Sequence, residues 1–181
     1  MKKMKTIDLV YMAIGTVLIT ICSWISIPML VPFTLQTFAV FFLLGLLGGK
    51  RTTVSVIIYL LLGAIGVPVF SNFNSGIGAI LGTTGGYIVG FILMGILYWL
   101  FEKISDKIYI RAAAMAVGLL LCYTFGTAWF MVVYARDSGA IGLGTALGWC
   151  VIPFILPDIA KLIVALLLSA KLRKILKIEA K

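Results

Sequence analysis

The sequence predicts an all-α, polytopic membrane protein: a bundle of six transmembrane helices with both termini cytoplasmic. Three observations predict it. Hydrophobic residues make up 62% of the 181 residues, where soluble domains hold about 45–50%. Charged residues are 12%, roughly half the usual share of about 25%. Those charges fall in short clusters and leave residues 9–49, 52–101 and 112–135 with none. A soluble globule of this size has too much surface for its core to hide so much apolar side chain. A soluble enzyme, a disordered chain and a disulfide-stapled secreted module are therefore excluded. Residues 1–181 read as a single membrane domain.

A crossing helix needs about 20 apolar residues. The first span is expected over residues 9–27, stopped by Pro28. Lys2, Lys3 and Lys5 precede it as they would a signal peptide. The run is too long for a signal core and no small-x-small cleavage site follows, so it is read as a span. Pro28 and Pro32 make residues 28–36 a poor helix, hence a re-entrant or external loop. The second span, residues 37–48, is short and ends at Gly49-Lys50-Arg51. The third covers residues 52–66, before Pro68. Residues 67–83 are rich in Gly, Asn and Ser and read as a loop. The fourth span covers residues 84–101, followed by a charged turn over 102–111. The fifth covers 110–134, and the glycine-bearing stretch 135–146 with Arg136 and Asp137 is a loop. The sixth covers 147–170, interrupted by Pro153 and Pro157, and a basic tail closes the chain.

Six spans place both termini on one side, and basic residues mark the cytoplasmic side. Lys2, Lys3, Lys5, Lys50, Arg51, Lys103, Lys107, Arg111, Lys171, Arg173, Lys174, Lys177 and Lys181 share one face, 13 of the 15 basic residues. Arg136 lies opposite and Lys161 lies within a span. The loops near 28–36, 67–83 and 135–146 are then external. Clustered basic residues that flank apolar spans report topology, so no nucleic acid is expected as a partner; the lipid bilayer is.

Chemistry is sparse. The chain has no histidine, the commonest general base and metal ligand. Cys22, Cys122 and Cys150 are single and far apart, which suits small buried hydrophobes. No Walker A, Gly-x-Ser-x-Gly, metal spacing or paired carboxylates occur. The expectation is no enzyme, no metal and no cofactor. There is no obvious internal repeat, which counts against an ordinary secondary transporter. Gly82, Gly86 and Gly90 recur at helical spacing and suit close helix approach in lipid.

Asp158 and Lys161 are the ionisable groups inside a predicted span. Charge at membrane depth is costly and generally faces a cavity. Their i, i+3 spacing puts them on one helix face. Pro157 suits the start of a short helix whose positive dipole end would point to the same place. A carboxylate, an ammonium and helix N–H groups together fit a small polar ligand with donors and acceptors. The bland alternative is a helix cap with a mutual ion pair. The loop Pro68-Val69-Phe70-Ser71-Asn72-Phe73-Asn74-Ser75-Gly76-Ile77-Gly78 mixes amides, hydroxyls and glycines, and can lid an apolar pocket. Asn74, Gly76 and Gly78 are its candidate contacts. Pro32-Phe33-Thr34-Leu35-Gln36-Thr37 reads the same way, with Phe33 and Gln36 as candidates. Tyr87, Tyr123 and Trp129 stand near outer span ends, where aromatics serve a pocket or the interfacial belt; Tyr87 and Trp129 are the candidates.

These residues carry a resemblance. Val31-Pro32-Phe33-Thr34-Leu35-Gln36-Thr37, Gly63-Ala64-Ile65-Gly66-Val67-Pro68-Val69-Phe70, Gly82-Thr83-Thr84-Gly85-Gly86-Tyr87 and Pro157-Asp158-Ile159-Ala160-Lys161 resemble the biotin-specific substrate-binding subunits of bacterial energy-coupling factor transporters, the BioY type. The resemblance covers nearly the whole chain. Thr83 departs from the family's usual Pro. The first span shows only Ala13, Gly15 and Thr16 where such subunits often carry an Ala-xxx-Ala docking patch. The resemblance implies a bacterial cytoplasmic-membrane protein that binds biotin near the outer face and carries no catalytic activity. ATPase subunits and a coupling transmembrane subunit would be separate chains. Asp158 would accept from a ureido N–H, and Lys161 would donate to the ureido oxygen or to the valerate. Phe33, Tyr87, Trp129 and glycines would serve the apolar body. A stand-alone secondary transporter of a small metabolite, or a membrane assembly subunit without a ligand, remain the other readings.

Overall fold

The computed structural model describes residues 6–105 and 107–176. Lys2, Lys3, Lys5, Lys177 and Lys181, used above for orientation, lie outside the described residues. In chain order the elements are α1 (Thr6–Trp24), β1 (Ser26–Ile27), β2 (Phe33–Thr34), α2 (Gln36–Leu47), α3 (Gly49–Ala64), a 3-10 turn (Ser71–Phe73), α4 (Ile77–Leu81), α5 (Gly85–Glu102), α6 (Ile108–Ser138), α7 (Leu143–Cys150) and α8 (Ile152–Leu176). The expected all-α class holds, with one two-residue ribbon added.

Among the described residues, Thr6–Trp24, Gly85–Glu102, Ile108–Ser138 and Leu143–Leu176 are long and apolar enough to cross a membrane. α2 has 12 residues and rises only about 18 Å, short of the ~30 Å hydrocarbon core. α3, with 16 residues, rises about 24 Å. The two are joined at Gly48, whose φ of 87° is open to glycine and strained for other residues. Val17, Leu120, Val132, Leu156 and Leu167 all point outward. A bilayer accepts such faces and asks only that backbone groups be satisfied within the helices. The chain is a multi-pass membrane protein.

Small residues set which helices touch. α5 lies along α6, α2 along α8, and α3 against both α5 and α1. On the α5–α6 seam a Cβ added at Gly86, Gly90, Gly118 or Gly126 would meet Trp129, Cys122, Met94 or Tyr87 at 2.3–2.8 Å. The stripe at Gly86 and Gly90 is therefore packing, as its spacing suggests. Gly82 precedes the helix and gives its carbonyl to the Trp129 indole at 3.0 Å. Gly15 and Thr16 turn inward onto α3, where the Thr16 hydroxyl donates to the Ser55 carbonyl at 3.1 Å. Ala13 lies on the exposed face of α1.

Several boundaries differ from expectation, for local reasons. α6 runs on to Ser138, because nothing stops a helix before Gly139 and its φ of 96°. The irregular link to α7 shrinks to residues 139–142. The loop 67–83 contains the 3-10 turn and α4. The sixth span breaks at Val151, with φ −126° and ψ −56°, and not at either proline. Pro153 is the second residue of α8, where a missing N–H costs nothing. Pro157 stays inside the helix. Arg111, one of the basic residues counted for orientation, is not a solvated charge. It is buried, donating to the Tyr98 hydroxyl at 3.1 Å and to the Gly45 carbonyl, and so ties α6 to α5 and α2.

Candidate functional site

The ribbon folds the segment after α1 back on itself. Ser26 pairs with Thr34 and Ile27 with Phe33, and the Leu35 N–H donates to the Ile25 carbonyl at 3.1 Å. Two prolines forbid a helix there, and the reversal carries Thr34 and Thr37 onto α8 in place of solvent. The Gln36 N–H bonds Thr34 Oγ1 at 3.2 Å and starts α2.

α8 presents Asp158 and Lys161 on one face, 1% and 9% exposed. Asp158 Oδ1 accepts from Thr37 Oγ1 at 2.9 Å and from Lys161 Nζ at 2.8 Å. Asp158 Oδ2 accepts from the Tyr123 hydroxyl at 2.7 Å. Lys161 also donates to the Thr34 carbonyl at 2.7 Å and to Thr37 Oγ1 at 3.0 Å. Its ammonium lies 4.2 Å from the centre of the Phe33 ring, within cation–π range. An ammonium has three protons, and all three are used. A carboxylate offers about four acceptor sites; three are filled, which leaves one on Oδ2. Both charges are thus paired and hydrogen-bonded, the condition under which a buried ion pair persists.

This cluster forms part of the wall of a cavity of about 680 Å³, its open mouth included. Thr34 lines it from β2, Gln36 and Thr37 from the start of α2, Tyr59 from α3, Tyr87 from α5, Tyr123 from α6, and Asp158 and Lys161 from α8. Ile88, Phe91, Leu119 and Phe154 supply the apolar wall. The Tyr87 hydroxyl is bonded to Thr127 Oγ1 at 3.0 Å, which fixes its ring on α6.

Four sequence candidates therefore meet at the cavity: Asp158, Lys161, Tyr87 and Gln36. Phe33 stands behind it, against Lys161 and stacked on Phe154 at 6.1 Å. Trp129 is outside the lining and rests on Gly86, with its indole on Gly82. Asn74, Gly76 and Gly78 are outside it too. Asn74 Oδ1 accepts the Ser75 N–H at 2.8 Å, the Gly76 N–H donates to the Gly63 carbonyl at 2.7 Å, and Gly78 faces open space. Ser71 is the residue of that loop that reaches the cavity. Thr37 and Tyr59 are additions to the sequence candidates, and Tyr123, open in the sequence to either a pocket or the interfacial belt, lines the cavity. The helix-dipole expectation fails: α8 begins at Ile152, so Asp158 sits in its interior and no N-terminal N–H groups point at the site.

The fold and the site define a membrane-embedded binding protein for a small molecule, with a buried carboxylate at its polar focus. The family model described as the BioY family matches residues 1–178, and the chain belongs to that family. The chain is 39% identical over 170 residues to the biotin transporter BioY of Thermotoga maritima, covering 93% of this chain and 96% of that one. It is 36% identical over 166 residues to the biotin transporter BioY2 of Lactococcus lactis subsp. cremoris, covering 90% and 88%. Its fold matches the crystal structure of the S-component for biotin from an ECF-type ABC transporter, with a TM-score of 0.82, 28% identity and 95% of each chain covered.

Proposed function

We propose that this chain is the biotin-binding S component of an energy-coupling factor transporter. The observation that carries the reading is the Asp158 carboxylate, buried in a mixed cavity with one acceptor site still open. Biotin brings a ureido ring with two N–H donors and one carbonyl, a thioether ring and a valerate chain. One ureido N–H bonds Asp158 Oδ2. The fused rings lie against Phe91, Leu119, Phe154 and the Tyr87 ring. Lys161 works through its neighbours: its bonds to Asp158, Thr37 and the Thr34 carbonyl hold the carboxylate in place. Any direct bond from Lys161 to the ligand requires one of those three to be released. Phe33 braces Lys161, and Trp129 braces the backbone at Gly82 beside the cavity residue Thr84. The loop bearing Asn74, Gly76 and Gly78 covers the mouth through Ser71.

The six expected spans, with the pocket toward the outer face and the termini cytoplasmic, suit capture from outside the bacterial cell. The subunit binds and hands over its ligand unchanged. ATP hydrolysis and coupling belong to separate ATPase and transmembrane subunits. Equilibrium binding of labelled biotin to the purified, detergent-solubilised chain tests the proposal. Saturable one-site binding is the expected result. A folded chain that binds no biotin contradicts it.

A further inference from the structure

α2 and α3 would be one helix but for a break at Gly48. In an unbroken helix the Gly49 N–H would donate to the Gly45 carbonyl. Here the two groups part, and each is taken by a charged side chain from the α5–α6 pair. The Gly45 carbonyl accepts from the Arg111 guanidinium of α6. The Gly49 N–H donates at 2.9 Å to Oε2 of Glu102, the last residue of α5. Arg111 is buried and is held in turn by the Tyr98 hydroxyl at 3.1 Å.

The signs are those that the two helix ends ask for. A helix C-terminus carries partial negative charge and an N-terminus partial positive charge. α2 has no basic residue in its last turn, and α3 has no acidic residue in its first turn and no side-chain cap. α3 opens instead with Lys50 and Arg51, the wrong sign for that end. Arg111 and Glu102 supply from other helices what the local sequence lacks. Both glycines seat the break closely: a Cβ at Gly45 would run into Ser169 of α8, and one at Gly49 into Trp99 of α5. Gly45 stands about 12 Å along α2 from Thr37, which bonds Asp158 and Lys161. The contacts at the break therefore fix where along its axis the pocket end of α2 sits.

We propose that Arg111 and Glu102 are positioning residues for the ligand: a split cap on the α2–α3 break that holds the outer end of α2 in its binding register. The inference rests on the biotin reading for the identity of that ligand. It is tested with Arg111→Met and Glu102→Met, with Arg111→Lys and Tyr98→Phe as milder variants. Lys171→Gln, which removes an exposed charge on α8, is the control. Biotin dissociation constants are measured on folded protein, together with amide exchange over residues 45–53 and 36–40. Arg111→Met and Glu102→Met should each weaken biotin binding at least about fivefold, and should speed exchange in both segments with no ligand present. Arg111→Lys should fall between Arg111→Met and wild type, because an ammonium keeps the charge and loses the fork. Lys171→Gln should bind as wild type does. Coupling is reciprocal, so saturating biotin should slow exchange over 45–53 in wild type and do so less in Arg111→Met. Should Arg111→Met fail to fold, Glu102→Met and Tyr98→Phe carry the test in the same two readouts. Biotin affinity within about twofold of wild type in the folded variants overturns the assignment. Faster exchange spread evenly over all helices overturns it as well, since that marks general loosening. Wild-type protein that binds no biotin defeats the biotin reading instead, and the ligand-free exchange over 36–40 then decides on the cap.

Discussion

The Thr37 hydroxyl donates to Asp158 Oδ1 at 2.9 Å, joining residues 121 apart in the chain. Thr37 Oγ1 in turn accepts from Lys161 Nζ at 3.0 Å. Thr37 is therefore a relay between the two charges and pins the start of α2 to α8.

Thr37→Val keeps the branched shape and removes the relay. It leaves one proton of Lys161 without an acceptor and Asp158 without one donor. Hydrogen bonds to charged groups contribute about 1.5–3 kcal/mol, so biotin binding should weaken by roughly tenfold or more. Lys161→Met should weaken it too, because Asp158 then stands buried without its cation. Isothermal titration of both variants against wild type checks this.

The α5–α6 seam positions one wall. A Cβ at Gly126 would lie 2.3 Å from the Tyr87 ring. Gly126→Ala must displace Tyr87 and break its bond to Thr127. Overpacking costs about 1–3 kcal/mol, so the variant should melt lower in detergent and bind biotin more weakly. Gly142→Ala, where a Cβ meets nothing within 4 Å, should do neither.

Orientation follows from the charge clusters. Ile104, just past the end of α5, and Ser138, the last residue of α6, are both exposed and mark opposite ends of the α5–α6 pair. A cysteine at position 138 should react with an impermeant thiol reagent in intact cells. One at position 104 should react only after the membrane is opened. The reverse pattern would overturn the N-in, C-in proposal.

Coupling separates this chain from a self-sufficient carrier. In proteoliposomes, biotin should be concentrated only when ATPase and coupling subunits are present with ATP. Concentrative uptake by the chain alone, driven by a proton or sodium gradient, would contradict the S-component assignment.

Much of this was legible in the sequence, and the rest was hidden for physical reasons. Asp158 and Lys161 stand out because ionisable groups are rare in an apolar span. Thr37 carries no such mark. Thr16, Thr20, Thr52 and Thr53 all bond the carbonyl four residues back, so a membrane threonine ordinarily satisfies itself. Only the ribbon at Ser26–Thr34 and Ile27–Phe33 directs Thr37 elsewhere. Tyr123 stays open between pocket and belt in the sequence because its partner is 35 residues away. Asp158 looked like a helix start because Pro157 precedes it, whereas Pro153 already occupies the first turn. Nothing in the sequence marks Arg111 apart from the other basic residues, because its partners Tyr98 and Gly45 lie on other helices.

The most direct test is the binding isotherm of Asp158→Asn beside wild type. The substitution preserves shape and replaces a charged acceptor with a neutral amide. Removing one charge-assisted bond of about 1.5–3 kcal/mol predicts biotin affinity lower by roughly tenfold or more. Asp158→Ala should be worse still, since Lys161 then loses its counter-charge at membrane depth. Biotin affinity within about twofold of wild type in folded Asp158→Asn protein would reduce the ion pair to a structural tie, and would contradict the claim that this carboxylate is the polar focus of the biotin pocket.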